Sequence, residues 1–230
     1  MKKVTLIFAI VLLACSLIFL FFKENTSLVI PNECEKNSNP VFVHHITDIN
    51  KVEMVVPPPS LIAGHLKTHS YIDTRLERVP VYAPVDSTFS AGTYYFEENS
   101  QRGEYMLDFS VSCDIRYRFD HITEPVESIQ DALQDQPAKT SRTISVDRPI
   151  VFKAGDLIGY TTGGKYGNWD FGVYDSSKPN YFADDPDWNT SETYTTGQCS
   201  FNYFTPELAQ DYIDLFGQWE NDEYEEFCAY

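Results

Sequence analysis

The sequence predicts a mainly β protein, an antiparallel sheet or sandwich, with a helix near each end. Three observations carry this. Aromatic residues make up 15% of the 230 residues, led by 16 Phe and 15 Tyr, and such side chains favour the pleated, half-buried surface of a strand. From Val79 to Asp175, short alternating runs follow one another closely with Gly and Pro turns between them, the pattern of an antiparallel all-β domain. Long apolar or helix-periodic runs occur only outside that stretch.

Lys2 and Lys3 precede an almost unbroken apolar run, Val4 to Phe22, closed by Lys23. At about 1.5 Å per residue this run approaches the hydrocarbon thickness of about 30 Å. Residues 1–23 are therefore expected to form a transmembrane signal anchor, with the two lysines keeping the N-terminus cytoplasmic and the remainder outside. A cleaved signal peptide, or a lipid on Cys15 of the stretch LLAC, are the alternatives. Residues 24–40 are polar and read as a juxtamembrane linker.

A β domain is expected over 41–178. Strand-like patches in VFVHHITDINKVEMVV (41–56) are stopped by PPPS, and GHLKTHSYID follows. The runs VPVYAPVD (79–86), STFSAGTYYFEE (87–98) and EYMLDFSVS (104–112) each read as strands. DIRYRFDHI (114–122) places Ile115, Tyr117, Phe119 and His121 on one face. Residues 124–143 are polar and read as an insertion loop, with a short helix at VESIQDAL. RPIVFKAGDLIGYTT is a strand, turn and strand. In NWDFGVYD, Trp169, Phe171 and Val173 share one face, and Asn168, Asp170 and Gly172 the other. Residues 179–230 form an acidic C-terminal extension with a helix at about 206–216. Thr205 is its N-cap, Pro206 its first residue and Gly217 its stop. Leu208, Tyr212 and Leu215 form its apolar stripe.

Charge and cysteines narrow the function classes. The chain has 17 Lys+Arg against 34 Asp+Glu, a formal net charge of −17, and no Lys or Arg follows Lys178. Such a surface repels phosphate, so nucleic acid is excluded as a partner. It suits cationic partners and divalent ions. Outside the anchor stand Cys34, Cys113, Cys199 and Cys228, and export to an oxidising compartment permits disulfides. Cys199 and Cys228 bracket one C-terminal segment and are the expected pair. Cys34 with Cys113 follows by elimination. No C-x-x-C spacing exists, which argues against a thiolate zinc site or a redox dithiol.

Histidine is scarce: His44, His45, His65, His69 and His121. HSYID sets His69 and Asp73 four apart, an imidazole and a carboxylate that together make half a divalent-cation site. His65, His44 and His45 read as surface or strand histidines. Trp169 and Phe171 read as core. Tyr94–Tyr95 and Tyr181–Phe182, beside turns, are candidate platforms for a sugar ring. Asn25 and Asn189 each begin an NTS sequon.

Taken in order, HSYID (69–73), VPVYAPVDSTFSAG (79–92), YRFDHI (117–122), IVFKAGDLIGYTTGG (150–164) and NWDFGV (168–173) resemble the motifs of the lysostaphin/LytM-type zinc peptidases. These are peptidoglycan endopeptidases with the duplicated hybrid motif fold. The resemblance spans about half the chain and omits the anchor, the linker and the C-terminal extension. It implies that His69 and Asp73 are metal ligands and that His121 is the histidine that polarises water beside the metal. In the family's H-x-H motif the first His is catalytic and the second is the third ligand. Here Asn168 and Asp170 stand in those places.

The chemistry changes with them. A site of His69, Asp73 and Asp170 is harder and more anionic than one with two imidazoles, so Mn²⁺ or Ca²⁺ become comparable to Zn²⁺. An added carboxylate weakens the metal as a Lewis acid, and the amide of Asn168 does not titrate near neutrality. Asp170 hydrogen-bonded directly to His69 or His121, with no ion, is the other arrangement the residues allow. The expectation is a single-pass membrane protein with an extracytoplasmic, degenerate and non-catalytic LytM-like domain, a binding or scaffold module of the cell envelope. Its partner would be a glycan, peptide or protein there, and its cofactor none or one divalent metal. The alternatives are an active metal-dependent endopeptidase with a His/Asp/Asp site, and a purely structural surface protein.

Overall fold

A computed structural model describes residues 36–218 apart from 38 and 63, together with 227 and 228. The expected anchor, nearly all of the linker, Cys15, Asn25 and Cys34 lie outside the described residues. Among those described, no helix is long and apolar enough to cross a membrane.

Residues Lys36–Tyr230 form one compact unit. It is mainly antiparallel β. The strands are β1 (Met54–Val56), β2 (Ser60–Ile62), β3 (His65–Lys67), β4 (Ser70–Asp73), β5 (Val79–Tyr82), β6 (Ser87–Glu97), β7 (Arg102–Ser110), β8 (Ile115–Ile122), β9 (Glu124–Pro125), β10 (Ile144–Phe152), β11 (Leu157–Thr161), β12 (Asn168–Asp175) and β13 (Gly197–Gln198). The main sheet runs β1-β4-β12-β8-β7-β6-β10, with β13 added beside β12, and β5-β11-β9 and β2-β3 make two smaller sheets. Among the described residues, three short α-helices, α1 (Glu127–Asp131), α2 (Glu192–Thr196) and α3 (Pro206–Ile213), and three 3-10 turns (Ile49–Lys51, Tyr181–Asp184 and Ser200–Tyr203) complete the elements.

The main sheet has one apolar and one polar face. Ile72 of β4, Trp169, Phe171 and Val173 of β12, Tyr117 and Phe119 of β8, and Leu107 and Phe109 of β7 are all fully buried on the apolar side. Phe109 stacks on Tyr117, and Phe119 on Phe171, at centroid separations of 4.9 and 5.3 Å. The alternation read in NWDFGVYD therefore places its three apolar residues in the core.

The segment expected as a C-terminal extension contributes to the same core. Phe201, Phe204 and Tyr212 are buried there, and Phe204 bridges Phe42. Helix α3 starts as expected, with Pro206 after the N-cap Thr205, but stops at Ile213. The chain leaves the helix because strand β1 competes for its backbone. Val55 N–H donates to Leu215 C=O and Gly217 N–H to Val55 C=O, each at 2.9 Å. Cys199 and Cys228 are disulfide-bonded, as expected. The 124–143 segment holds the expected short helix and also β9, which pairs with β11, while Ile129 and Leu133 are buried.

One expectation fails in β8. Ile115, Tyr117 and Phe119 share the core face, but His121 does not. Tyr105 pairs with Ile122 and Leu107 with Phe119, so Asp120 and His121 together oppose Met106. This is a β-bulge, and His121 carries its positive φ of 61°. After it the core phase resumes at Ile122, also fully buried.

Candidate functional site

The polar face of the main sheet carries the candidate site. Alternation brings Asp170, Gly172 and Tyr174 of β12 to it, opposite Asp120, Arg118 and Arg116 of β8. Tyr71 of β4 pairs with Asp170, and Tyr95 of β6 pairs with Glu104 of β7. His69 stands one residue before β4. The bulge adds His121.

Asp120 and Asp170 are 7% and 6% exposed and Glu104 is fully buried. Each has partners. Asp120 Oδ1 accepts from the Tyr95 hydroxyl and from the backbone N–H of His121, both at 2.7 Å. Glu104 Oε2 lies 2.6 Å from His121 Nδ1, and its Oε1 accepts from the Ser100 hydroxyl at 2.6 Å and from Arg102 Nε at 2.9 Å. Arg102 also reaches the Gly163 carbonyl. The Thr161 hydroxyl donates to the His121 carbonyl at 2.6 Å and fixes the bulge. His69 Nε2 sits 3.0 Å from Asp170 Oδ2. That ion pair is poorly aligned, and neither His69 Nε2 nor Asp170 Oδ1 has a hydrogen-bond partner. The buried Tyr174 hydroxyl has none either.

Electrostatics follow from this crowding. Burial alone would push the His121 imidazolium down, but the carboxylates of Asp120, Asp170 and Glu104 outweigh it and raise its pKa to about 10. Burial would raise Asp170, yet His69 and His121 hold it down at about 2. Asp120 moves the other way: burial, with Asp170 opposite, raises it. Burial would also raise Glu104, but hydrogen bonds from His121, Ser100 and Arg102 keep it low.

The side chains singled out from sequence divide in two. His69, Asp170 and His121 come to the same face. Asp73 does not complete a ligand set with His69 and Asp170. Its Oδ1 instead accepts from Arg75 N–H at 2.8 Å, and it lines a separate cleft of about 460 Å³ with Glu53, Arg75 and Asp214. Asn168 lies opposite Asp73, and its carbonyl accepts from Gly164 N–H at 2.7 Å. Among the described residues, the metal-ligating side chains that gather within 4.8 Å of one another are Asp120, His121 and Asp170. The donors implied by the resemblance thus do not gather as one group here, and of them only Asp170 belongs to this set.

Asp120, Glu104 and Tyr174 were missed because each reads as an ordinary strand residue. The signal for Asp120 was the adjacent pair Asp120–His121, two polar groups where alternation allows one per face. Of the candidate platforms, Tyr95 and Phe182 are buried and Tyr95 serves Asp120. Tyr94 stacks on Tyr105 at 4.5 Å, and Tyr181 is exposed. His65 and Asn189 are exposed, and His44 and His45 half-buried. His45 is paired with Asp211 at 3.3 Å.

No protein-family model matches the sequence, and no curated protein matches it. Among solved structures, the chain is similar to Helicobacter pylori Csd3 in its orthorhombic crystal, with a TM-score of 0.36 and 10% identity over 76% of this chain and 40% of that one. The chain thus spans less than half the length of that protein.

Proposed function

We propose that this protein is a membrane-anchored, extracytoplasmic module with a degenerate LytM-like domain that binds or scaffolds cell-envelope material without hydrolysing it. One observation carries the reading. His121, the proton-handling histidine that the resemblance retains, has its Nδ1 committed to the buried carboxylate of Glu104 at 2.6 Å. Asn168 occupies the other such position and has no titratable group. Peptide hydrolysis by the mechanism that the resemblance implies uses two proton-handling groups beside the metal, and with Asn168 in one of those places only His121 is left. The ordered series of five motifs supports the LytM-like assignment. The run from Val4 to Phe22 supports the anchor, and Lys2 with Lys3 the outward orientation. The acidic surface supports an envelope peptide or protein with cationic groups, or a neutral glycan, and disfavours nucleic acid.

A metal-dependent endopeptidase is the second reading, favoured by the 3.0 Å approach of His69 to Asp170. The two separate in one experiment. The full-length protein is incubated with peptidoglycan sacculi, with and without added Zn²⁺ or Mn²⁺. Sedimentation with the sacculi and no release of soluble peptide fragments is expected. Fragment release that depends on added metal and disappears in Asp170→Asn would replace the binding reading with the enzyme.

A further inference from the structure

We infer that the polar face holds one divalent cation of the Mn²⁺ class, bound by Asp120, His121 and Asp170. This set shares only Asp170 with the ligands implied by the resemblance. The inference rests on the geometry of the cluster and not on the non-catalytic reading.

Each of the three side chains has one end fixed and one end left to offer. Asp120 Oδ1 is held by Tyr95 and by the bulge N–H, which leaves Oδ2. His121 Nδ1 is held by Glu104, which leaves Nε2. Asp170 Oδ2 faces His69, and Oδ1 has no partner although the residue is 6% exposed. A carboxylate on the far nitrogen of a ligating imidazole is the usual way such a ring is oriented toward a metal. Glu104 provides it, and Ser100 and Arg102 anchor Glu104 in turn.

A second observation lies outside the cluster. The Tyr174 side chain is 1% exposed and its hydroxyl has no hydrogen-bond partner. A Cβ on Gly172 would meet that hydroxyl at 2.8 Å and His69 Cβ at 2.9 Å. The phenol is therefore folded back over Gly172, along the strand toward Asp170 and His69. A buried, unsatisfied polar atom costs about 1–3 kcal/mol, and Asp170 Oδ1, His69 Nε2 and the Tyr174 hydroxyl are three such atoms on this face.

Charge agrees. With the ion displacing the Nε2 proton of His121, two carboxylates balance one divalent ion and Arg102 balances Glu104. Two oxygens and one imidazole suit Mn²⁺ better than the softer thiolate-seeking ions. His69 and His121 side chains are 15% and 21% exposed, so the cluster is reached from solvent.

The test is a calorimetric titration of Mn²⁺ into the full-length protein at about 0.15 M salt, where diffuse attraction to its acidic surface is screened. One equivalent is expected to bind. Asp120→Asn and Asp170→Asn should each weaken that binding at least about tenfold, and Glu104→Gln by about 10- to 100-fold. Asp73→Asn should leave it within about twofold. Circular dichroism checks the fold of each variant, and if Asp170→Asn unfolds, Asp120→Asn and Glu104→Gln decide. No binding by the wild type overturns the inference. So do several weak equivalents indifferent to Asp120→Asn, or loss of binding in Asp73→Asn with Asp120→Asn intact. Because the readout is binding rather than cleavage, these results leave the assay on sacculi to be judged separately.

Discussion

Strand β12 carries two buried carboxylates, Asp170 and Asp175, on opposite faces, and their surroundings differ in kind. Asp175 continues the core face of Trp169, Phe171 and Val173. Its Oδ1 accepts from the backbone N–H and hydroxyl of Ser177 at 3.0 and 2.6 Å. Its Oδ2 meets Lys178 Nζ at 3.2 Å and accepts from the Tyr203 hydroxyl at 3.3 Å. Every direction is filled, which is how a structural carboxylate ends a strand. Asp170 is as enclosed but keeps an oxygen without a partner, beside a second carboxylate and two histidines. The contrast teaches that burial does not separate a structural acid from a functional one. The completeness of its partners does.

Four substitutions sharpen that contrast. The largest effect belongs to the core face. Phe119→Ala empties a fully buried site stacked on Phe171 and should cost about 3–5 kcal/mol in urea unfolding, or about 6–20 °C in Tm. A loss under 1 kcal/mol would mean that this face is not the core.

Asp175→Asn comes next, at about 1–3 kcal/mol near neutral pH, because a satisfied buried carboxylate loses charge-assisted bonds. Burial would raise the Asp175 carboxyl, but Ser177 and Lys178 hold it below its ordinary value of 3.8. A depressed carboxylate contributes fully above that value and loses its contribution as pH falls below it. The gap between wild type and variant should therefore be constant from about pH 5 to 7 and close in acid. A gap that widened in acid would reverse the assignment.

Gly172→Ala probes the polar face. The new methyl meets the Tyr174 hydroxyl and His69 Cβ, and overpacking of this kind costs about 1–2 kcal/mol. It should displace Tyr174 and weaken Mn²⁺ binding. Unchanged stability together with unchanged binding would show that Tyr174 is not folded over this position. The smallest effect is expected for Asp73→Asn, within about 0.5 kcal/mol, because Asp73 only caps the Arg75 N–H. A loss above 2 kcal/mol in thermal melts would give Asp73 a role that its surroundings do not show.

Much of the fold is legible because alternation is a strong constraint wherever one face is apolar. Period alone places Trp169, Phe171 and Val173 on one face, and the cap and proline mark the helix at Pro206. The site was legible only in part, for a geometric reason. His69 and Asp170 obey the regular strand phase, so their shared face could be read. Asp120 obeys it too, but His121 beside it does not. A bulge breaks the phase, and it depends on a pairing between β7 and β8 that no local pattern announces. Asp73 misled in the opposite way, because the spacing of HSYID suits a half-site while the contacts of Asp73 go to Arg75. The end of α3 at Ile213 was equally hidden, since it is set by hydrogen bonds to Val55 in a distant strand.

On this reading Asp120, Asp170 and the bulge residue His121 form the functional centre of this face. The most direct measurement is a crystal structure of the protein grown with Mn²⁺, with the ion located by its anomalous scattering. One strong peak is expected about 2.0–2.4 Å from an oxygen of Asp120, an oxygen of Asp170 and His121 Nε2. A peak on His69 and Asp73 instead, or no ordered ion with Asp170 Oδ1 paired to a protein group, would contradict it.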